Sequence, residues 1–152
     1  MTNYQNLDQL ATEFFKVFSR SEYALKAAGF HNGDGNAMAN WATFAEAVEV
    51  LIQEPNNKQL HDAIEFIFQN PPKKQMILND KICWSNVHPN RKLMADNLLV
   101  YVCRVRNNLF HGGKFNGHWF EPERSEQLIK NSLIILNACI NSVQRTRDSY
   151  HG

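Results

Sequence analysis

Three observations predict an all-α fold. Apolar residues recur at helical spacing through nearly the whole chain, stretches of alternating polarity typical of half-buried strands are missing, and glycines or prolines end the helical segments. We therefore expect a mostly or entirely α-helical bundle of about five helices. The 152 residues show no change in composition that would divide them, so residues 1–152 are predicted to form a single domain.

The first three helices are predicted from apolar stripes and their stop signals. The first spans about residues 5 to 28 and ends before Gly29, with core positions Leu7, Ala11, Phe14, Phe15, Phe18 and Leu25. The second spans about residues 37 to 53, with core positions Trp41, Phe44, Ala45 and Val48. The third spans about residues 58 to 69, ends before Pro71 and Pro72, and has core positions Leu60, Ile64 and Ile67.

The second half of the chain begins with its least regular segment, residues 73 to 90, where Trp84 and Pro89 indicate a packed connection. A fourth helix is predicted from about residue 90 to 110 or 111, with the apolar seam Leu98, Val102, Val105 and Leu109. A final helix is predicted from about residue 122 to 147, with the core stripe Ile129, Leu133, Leu136, Ile140 and Val143. Only the last five residues are expected to fray.

The charge of the chain is informative locally rather than as a total. A net charge of +1 argues against a protein that coats nucleic acid through a broadly basic surface. However, residues 97 to 120 contain no Asp or Glu, and they contain five basic side chains: Arg104, Arg106, His111, Lys114 and His118. If the protein binds a phosphate, we expect it to bind there.

Targeting and cysteine patterns indicate a soluble cytoplasmic protein. The first residues do not form a secretory leader, and no apolar stretch approaches the roughly 20 residues of a membrane span. Cys83, Cys103 and Cys139 are widely spaced among apolar residues, so we expect buried thiols in a reducing compartment, without disulfides. His61 and His88 have no carboxylate or thiol partner at metal-ligand spacing, so no metal and no cofactor are predicted.

The run from Arg106 to Lys114 contains the strongest candidates for catalytic residues in the sequence. Arg106 and His111 are about 140° apart around an ideal helix, and Asn107 shares the face of His111, where it could orient the imidazole. Helix carbonyls favour the charged imidazole and the arginine opposes it, so His111 could titrate near neutral pH as a general acid or base requires. The alternative is that His111 only caps the helix and Arg106 is a solvated cation.

This run resembles the Arg-x4-6-His signature of the HEPN superfamily, including the polar residue that commonly follows the arginine. Arg106, Asn107 and His111 match it. Residues 18–26 and 70–74 also look like stand-alone HEPN proteins of bacterial mobile elements. The resemblance implies a small helical bundle that dimerises through the motif-bearing helix, and a metal-independent endoribonuclease that serves as a toxin or in defence.

RNA cleavage fits these residue types, because the 2'-hydroxyl of RNA supplies the nucleophile and no metal is needed. His111 would be the acid or base, Arg106 the phosphate clamp and Asn107 a positioning donor. The products would be a 2',3'-cyclic phosphate and a 5'-hydroxyl. Two alternatives stay open: a non-catalytic HEPN module that binds a nucleotide or a partner such as a nucleotidyltransferase antitoxin, and a structural adaptor whose motif only closes a dimer.

Four further residues are candidates for supporting or phosphate-binding roles. Glu22 lies on the apolar stripe of the first helix and needs a cation, for which Arg104 or Arg106 is a reasonable partner; the alternative is an ordinary ion pair remote from the motif. Lys114 and His118 could extend a phosphate-binding surface, or could simply be polar residues of an exposed loop.

Overall fold

The computed structural model describes residues 4–110, 114–115, 118–119 and 121–152, with the side chains of residues 5–110 and 121–152. This part of the chain is mostly helical and contains six helices: α1 (Tyr4–Ala27), α2 (Trp41–Gln53), α3 (Lys58–Gln69), α4 (Met94–Phe110), α5 (Pro122–Ser142) and α6 (Gln144–His151). Two antiparallel strand pairs lie between helices. β1 (Lys74–Leu78) pairs with β2 (Lys81–Ser85) between α3 and α4, and β3 (Lys114–Phe115) pairs with β4 (His118–Trp119) between α4 and α5.

The helices share one hydrophobic core. α1 packs on α5 and α6, α3 packs on α5, and α2 packs on α4. Nearly all predicted core positions are buried; Phe15, Trp41, Leu109 and Val143 are half-buried. Each fully buried large aliphatic or aromatic side chain contributes about 1.5–3 kcal/mol through removal of its surface from water. Burial of the predicted apolar stripes is therefore what holds the helices together.

The N-terminus of α4 shows why this helix begins later than predicted. We expected a start near residue 90, but α4 begins at Met94. The Asn97 side chain accepts a hydrogen bond from Arg91 N at 3.0 Å and donates one to Arg91 O at 3.1 Å, which holds that residue in a turn. Glu49 of α2 then accepts hydrogen bonds from Met94 N at 3.2 Å and Ala95 N at 2.7 Å. A carboxylate from a distant helix thus caps α4.

The predicted final helix is broken in two, which corrects the expectation of one helix to residue 147. Val143 is extended, with φ −109° and ψ 120°, and it separates α5 from α6. The Thr146 hydroxyl donates to Ile140 O at 2.8 Å, within reach of Val143 O at 3.0 Å, so side-chain hydrogen bonding satisfies carbonyls that the helix no longer pairs. Of the five residues expected to fray, residues 148–151 belong to α6, which ends at His151.

The chain was predicted to be mostly or entirely helical, and the β1–β2 hairpin makes it mostly helical. Its register pairs Lys74 with Ser85 and Leu78 with Lys81, and the turn residues Asn79 and Asp80 have φ of 52° and 64°. Two successive positive φ angles are those of a type I′ turn, in which Asn and Asp are favoured. The sequence does not reveal the hairpin because both of its faces are largely exposed, so no alternation of polarity marks it.

None of the helices in the described ranges is both long and apolar enough to cross a membrane. The three cysteines are free thiols. Cys139 is buried as expected, whereas Cys83 and Cys103 are half-buried.

Candidate functional site

The last turn of α4 carries the first two residues of the predicted motif. The Arg106 side chain donates a hydrogen bond from Nη1 to Asn107 Oδ1 at 3.0 Å. The guanidinium lies 5.8 Å from the ring centroid of Phe18 in α1 and 4.9 Å from that of Phe110. Both distances are within the range of cation–π contacts. Two aromatic rings and a neighbouring amide therefore orient Arg106 at the surface where α4 meets α1.

The sequence explains this arrangement. Phe110 follows Arg106 by four positions and so lies on the same helical face. Phe18 is a buried core residue of α1 whose ring also stacks on Trp41 at a centroid distance of 5.3 Å. Sequence reasoning assigned Phe18 to the core alone and did not identify either phenylalanine as a partner of Arg106. The spacing from Arg106 to Phe110 was the available signal.

Three predicted site residues lie wholly or partly outside what the structure describes. His111 is not among the described residues, so its proposed proximity to Arg106 and Asn107 stays a prediction. Lys114 and His118 are described only as backbone: they belong to β3 and β4, in a ladder that pairs Lys114 with Trp119 and Phe115 with His118. Their phosphate-binding roles stay predictions too.

The predicted ion pair between Glu22 and Arg104 or Arg106 is not found. Glu22 and both arginines lie in the described part of the chain, and no ion pair within 4.0 Å joins Glu22 to Arg104 or Arg106. Instead, Glu22 Oε2 accepts a hydrogen bond from the indole nitrogen of Trp41 at 3.2 Å. A neutral donor can satisfy a half-buried carboxylate without a cation. The signal for this contact is absent from local sequence, because the partner is 19 positions away.

Glu22 nevertheless lies near the motif. The pKa of the Cys103 thiol is raised from 9.0 to about 12, first by burial and then by the negative charge of Glu22, while the positive charge of Arg106 opposes the shift. Both charges therefore act on one thiol of α4. Glu22 forms no ion pair within 4.0 Å in the described part of the chain, so the alternative of a structural ion pair remote from the motif is not what the structure has either.

Arg104 is directed to a different surface. Its Nη1 donates to Val87 O at 2.6 Å, and its guanidinium lies 5.5 Å from the ring centroid of Tyr101. The Tyr101 hydroxyl in turn contacts His88 Nδ1 at 2.7 Å. Burial raises the pKa of Tyr101, and the charge of Arg104 partly offsets that rise. Arg104 thus secures the segment after β2, and its phosphate-binding role stays a prediction.

The expectation that His61 has no carboxylate partner is wrong, because two carboxylates lie beside it. Its Nδ1 lies 3.2 Å from Asp62 Oδ1 and its Nε2 lies 3.6 Å from Glu65 Oε1, with one ligand atom from each residue within 4.8 Å of the others. All three are exposed. Lys58 Nζ lies 2.9 Å from Asp62 Oδ2, and its hydrogen bond lowers the pKa of Asp62. These contacts form an exposed ion-pair network on α3, and its lysine would compete with a metal for Asp62.

No family model, curated protein or solved structure matches the chain. Membership of the HEPN superfamily therefore stays a prediction that depends on the motif and on the helical fold around it.

Proposed function

We propose that this protein is a metal-independent endoribonuclease of HEPN type, acting as a toxin or defence effector. The observation that supports the proposal is the setting of Arg106, which two phenylalanine rings and the Asn107 amide orient on the last turn of α4, shortly before His111 in the chain. An arginine held in this way keeps a charged, planar set of donors for a phosphate.

The proposed reaction uses the substrate's own nucleophile. One histidine removes the proton of the RNA 2'-hydroxyl, whose oxygen attacks the adjacent phosphorus, and the bond from phosphorus to the 5'-oxygen breaks. A second histidine protonates that leaving oxygen. Arg106 stabilises the negative charge of the transition state, and Asn107 positions Arg106. The products are a 2',3'-cyclic phosphate and a 5'-hydroxyl.

Each chain has one motif histidine, His111, so a reaction that uses two of them needs two chains. We therefore propose a homodimer in which the motif-bearing helices face each other. Phe110 is 64% exposed and Asn107 is exposed, so the motif end of α4 presents apolar and polar surface together. Such a surface suits a partner copy better than open water. A nucleotidyltransferase antitoxin is a further proposed partner.

The test compares wild type with His111→Ala in EDTA on total RNA and on tRNA. We expect wild type to release fragments and the variant to release none, with the same circular dichroism and the same dimer mass by light scattering. His61→Ala is the matched control, because His61 is exposed on α3 and should leave cleavage unchanged. Cleavage by His111→Ala at the wild-type rate would reject the assignment. If wild type makes no product, the non-catalytic binding module replaces the ribonuclease, and Arg106→Ala should then weaken ligand binding.

A further inference from the structure

The last turn of α4, the first turn of α5 and the β1–β2 hairpin enclose a cavity of about 270 Å³. Much of its wall is apolar and includes Val105, Leu109, Ile129 and the indole of Trp84. Val105 and Ile129 are buried core residues, so the cavity reaches from the surface to the hydrophobic interior. Pockets for drug-sized ligands have volumes of about 300–1,000 Å³. This smaller cavity therefore suits a molecule of few atoms that has an apolar part.

Two half-buried cations, Lys73 and Arg124, also line the cavity. In the part of the chain that the structure describes, neither lies within 4.0 Å of a carboxylate oxygen. Residues 111 to 120, between α4 and α5, contain no Asp or Glu that could pair with them. Withdrawing a cation from water is costly unless an anion or several acceptors replace the water. The two cations therefore indicate an anionic ligand.

Hydrogen bonds hold both cations at one side of the cavity. Arg124 Nη2 donates to Pro71 O at 2.8 Å, which uses one of its five N–H donors and sets the direction of the guanidinium. Asn108 Nδ2 donates to Lys73 O at 2.7 Å, which ties the backbone of Lys73 to α4. Both bonds reach the short segment before β1. The cationic side is thus preformed, which reduces the entropy lost when an anion binds.

Glu121 adds the opposite charge to the same cavity. It lies three residues before Arg124, yet in the described ranges no ion pair within 4.0 Å joins the two side chains. A ligand with only negative charge is repelled by Glu121, and a ligand with only positive charge is repelled by Lys73 and Arg124. A small zwitterion with one carboxylate and one ammonium complements all three groups.

We propose that this cavity binds a free amino acid with an apolar side chain. Its carboxylate lies at Arg124 and Lys73, its ammonium lies at Glu121, and its side chain lies against the apolar wall that Trp84 completes. Phosphate esters and dicarboxylates bring negative charge without the ammonium, so charge complementarity favours the amino acid. The inference is independent of the proposed ribonuclease function.

The first experiment is isothermal calorimetry of wild-type protein with leucine, isoleucine, valine, methionine and phenylalanine. We expect at least one of them to bind about tenfold or more tightly than its amino alcohol, which lacks the carboxylate, because hydrogen bonds between charged groups are lost. The matching carboxylic acid without the amino group should bind about threefold more weakly than the amino acid. That difference is smaller because Glu121 is exposed and its charge is screened by water.

Variants assign each end of the ligand to its partner. Lys73→Met should lower the affinity for the amino acid by about fivefold or more and leave that for the amino alcohol unreduced. Glu121→Gln should remove the preference for the amino acid over the acid without the amino group. Lys74→Met and Glu123→Gln are the matched controls, since both residues are exposed and neither lines the cavity. Thermal melts check that each variant keeps its fold.

Three results would overturn the proposal. The first is calorimetry that detects none of the five amino acids in the millimolar range. The second is an amino alcohol, or an acid without the amino group, that binds as tightly as its amino acid. The third is a control variant that weakens binding as much as Lys73→Met. Calorimetry reports binding without activity, so a protein that never cuts RNA still passes or fails this test on its own.

Discussion

Arg104 and Arg106 are two positions apart on the same helix, yet the structure uses them differently. Arg104 donates to the backbone of Val87 and lies over Tyr101, so its charge fixes a connection. Arg106 donates to the neighbouring side chain of Asn107 and lies between Phe18 and Phe110. Two residues turn a helix by about 200°, which sends the two side chains to opposite flanks. Residues 97 to 120 therefore contain one arginine that binds the backbone of a connection and one, Arg106, to which we assign the proposed chemistry.

The largest expected effect comes from Arg106→Ala. We expect RNA cleavage to fall by about 100-fold or more, because loss of one donor to a developing anion costs about 10²–10³ in kcat. Arg106→Lys should restore only part of the rate, since lysine lacks the planar pair of donors. Single-turnover cleavage kinetics provide the measurement. A rate within about threefold of wild type for Arg106→Ala would contradict the role given to this residue.

Arg104→Ala should lower the stability of the protein and leave its RNA cleavage unchanged. The variant loses a charge-assisted hydrogen bond and the packing on Tyr101, so the free energy of unfolding should fall by about 1.5 kcal/mol. Its cleavage rate at a temperature where it stays folded should be within about threefold of wild type. Urea unfolding followed by circular dichroism gives the first quantity. Equal stability together with lost cleavage would place Arg104 in the site and remove the contrast between the arginines.

Glu49→Gln tests whether weakening α4 alone is enough to reduce activity. Glu49 caps the N-terminus of α4, and the neutral amide should stabilise the helix less by about 0.5–1 kcal/mol. The measurement is the urea midpoint, with RNA cleavage assayed in parallel. We expect a lower midpoint and an unchanged rate. A loss of cleavage comparable with that of Arg106→Ala would mean that the arginine variant acts through the helix.

The effect that is smallest near neutral pH concerns the thiols, because their contribution to stability changes only above about pH 9. Cys103 has a folded-state pKa of about 12 against an ordinary value of 9.0, so its contribution to stability is fully present below pH 9 and is lost as the pH rises toward 12. The pKa of Cys139 is raised to about 12 by burial as well. Unfolding free energies measured between about pH 8 and 11 should decline, and the decline should be shallower in Cys103→Ala. An identical slope in that variant would show that the thiol is not shielded.

Local patterns predicted the helices where the sequence itself carries the boundary. α3 spans Lys58–Gln69 as expected, because Asn57 caps its start and Pro71 follows its end. The fourth helix and the last helix were misjudged at ends that depend on other elements or on one side chain: Glu49 reaches from α2 to cap α4, and Val143 interrupts the final stripe. Apolar periodicity continues across such breaks and does not reveal them.

The candidate site was predictable only in part for a similar reason. The motif placed Arg106 and Asn107 on the last turn of α4, and the structure confirms that placement. It could not supply the partner of Glu22, since the Trp41 indole belongs to another helix. Nor could it reveal the cavity of about 270 Å³ that residues of α4, α5 and the β1–β2 hairpin line, because these segments are distant in the sequence. Contacts between distant segments require the fold.

The most direct test of the central claim is the chemistry of the RNA ends. Fragments made by wild-type protein in EDTA are mapped for their 3' and 5' groups, with His111→Ala treated in parallel. The proposed mechanism predicts 2',3'-cyclic phosphates and 5'-hydroxyls from wild type and no new ends from the variant. Fragments with 5'-phosphates, or the same ends made by both proteins, would contradict attack by the 2'-hydroxyl at a site centred on His111.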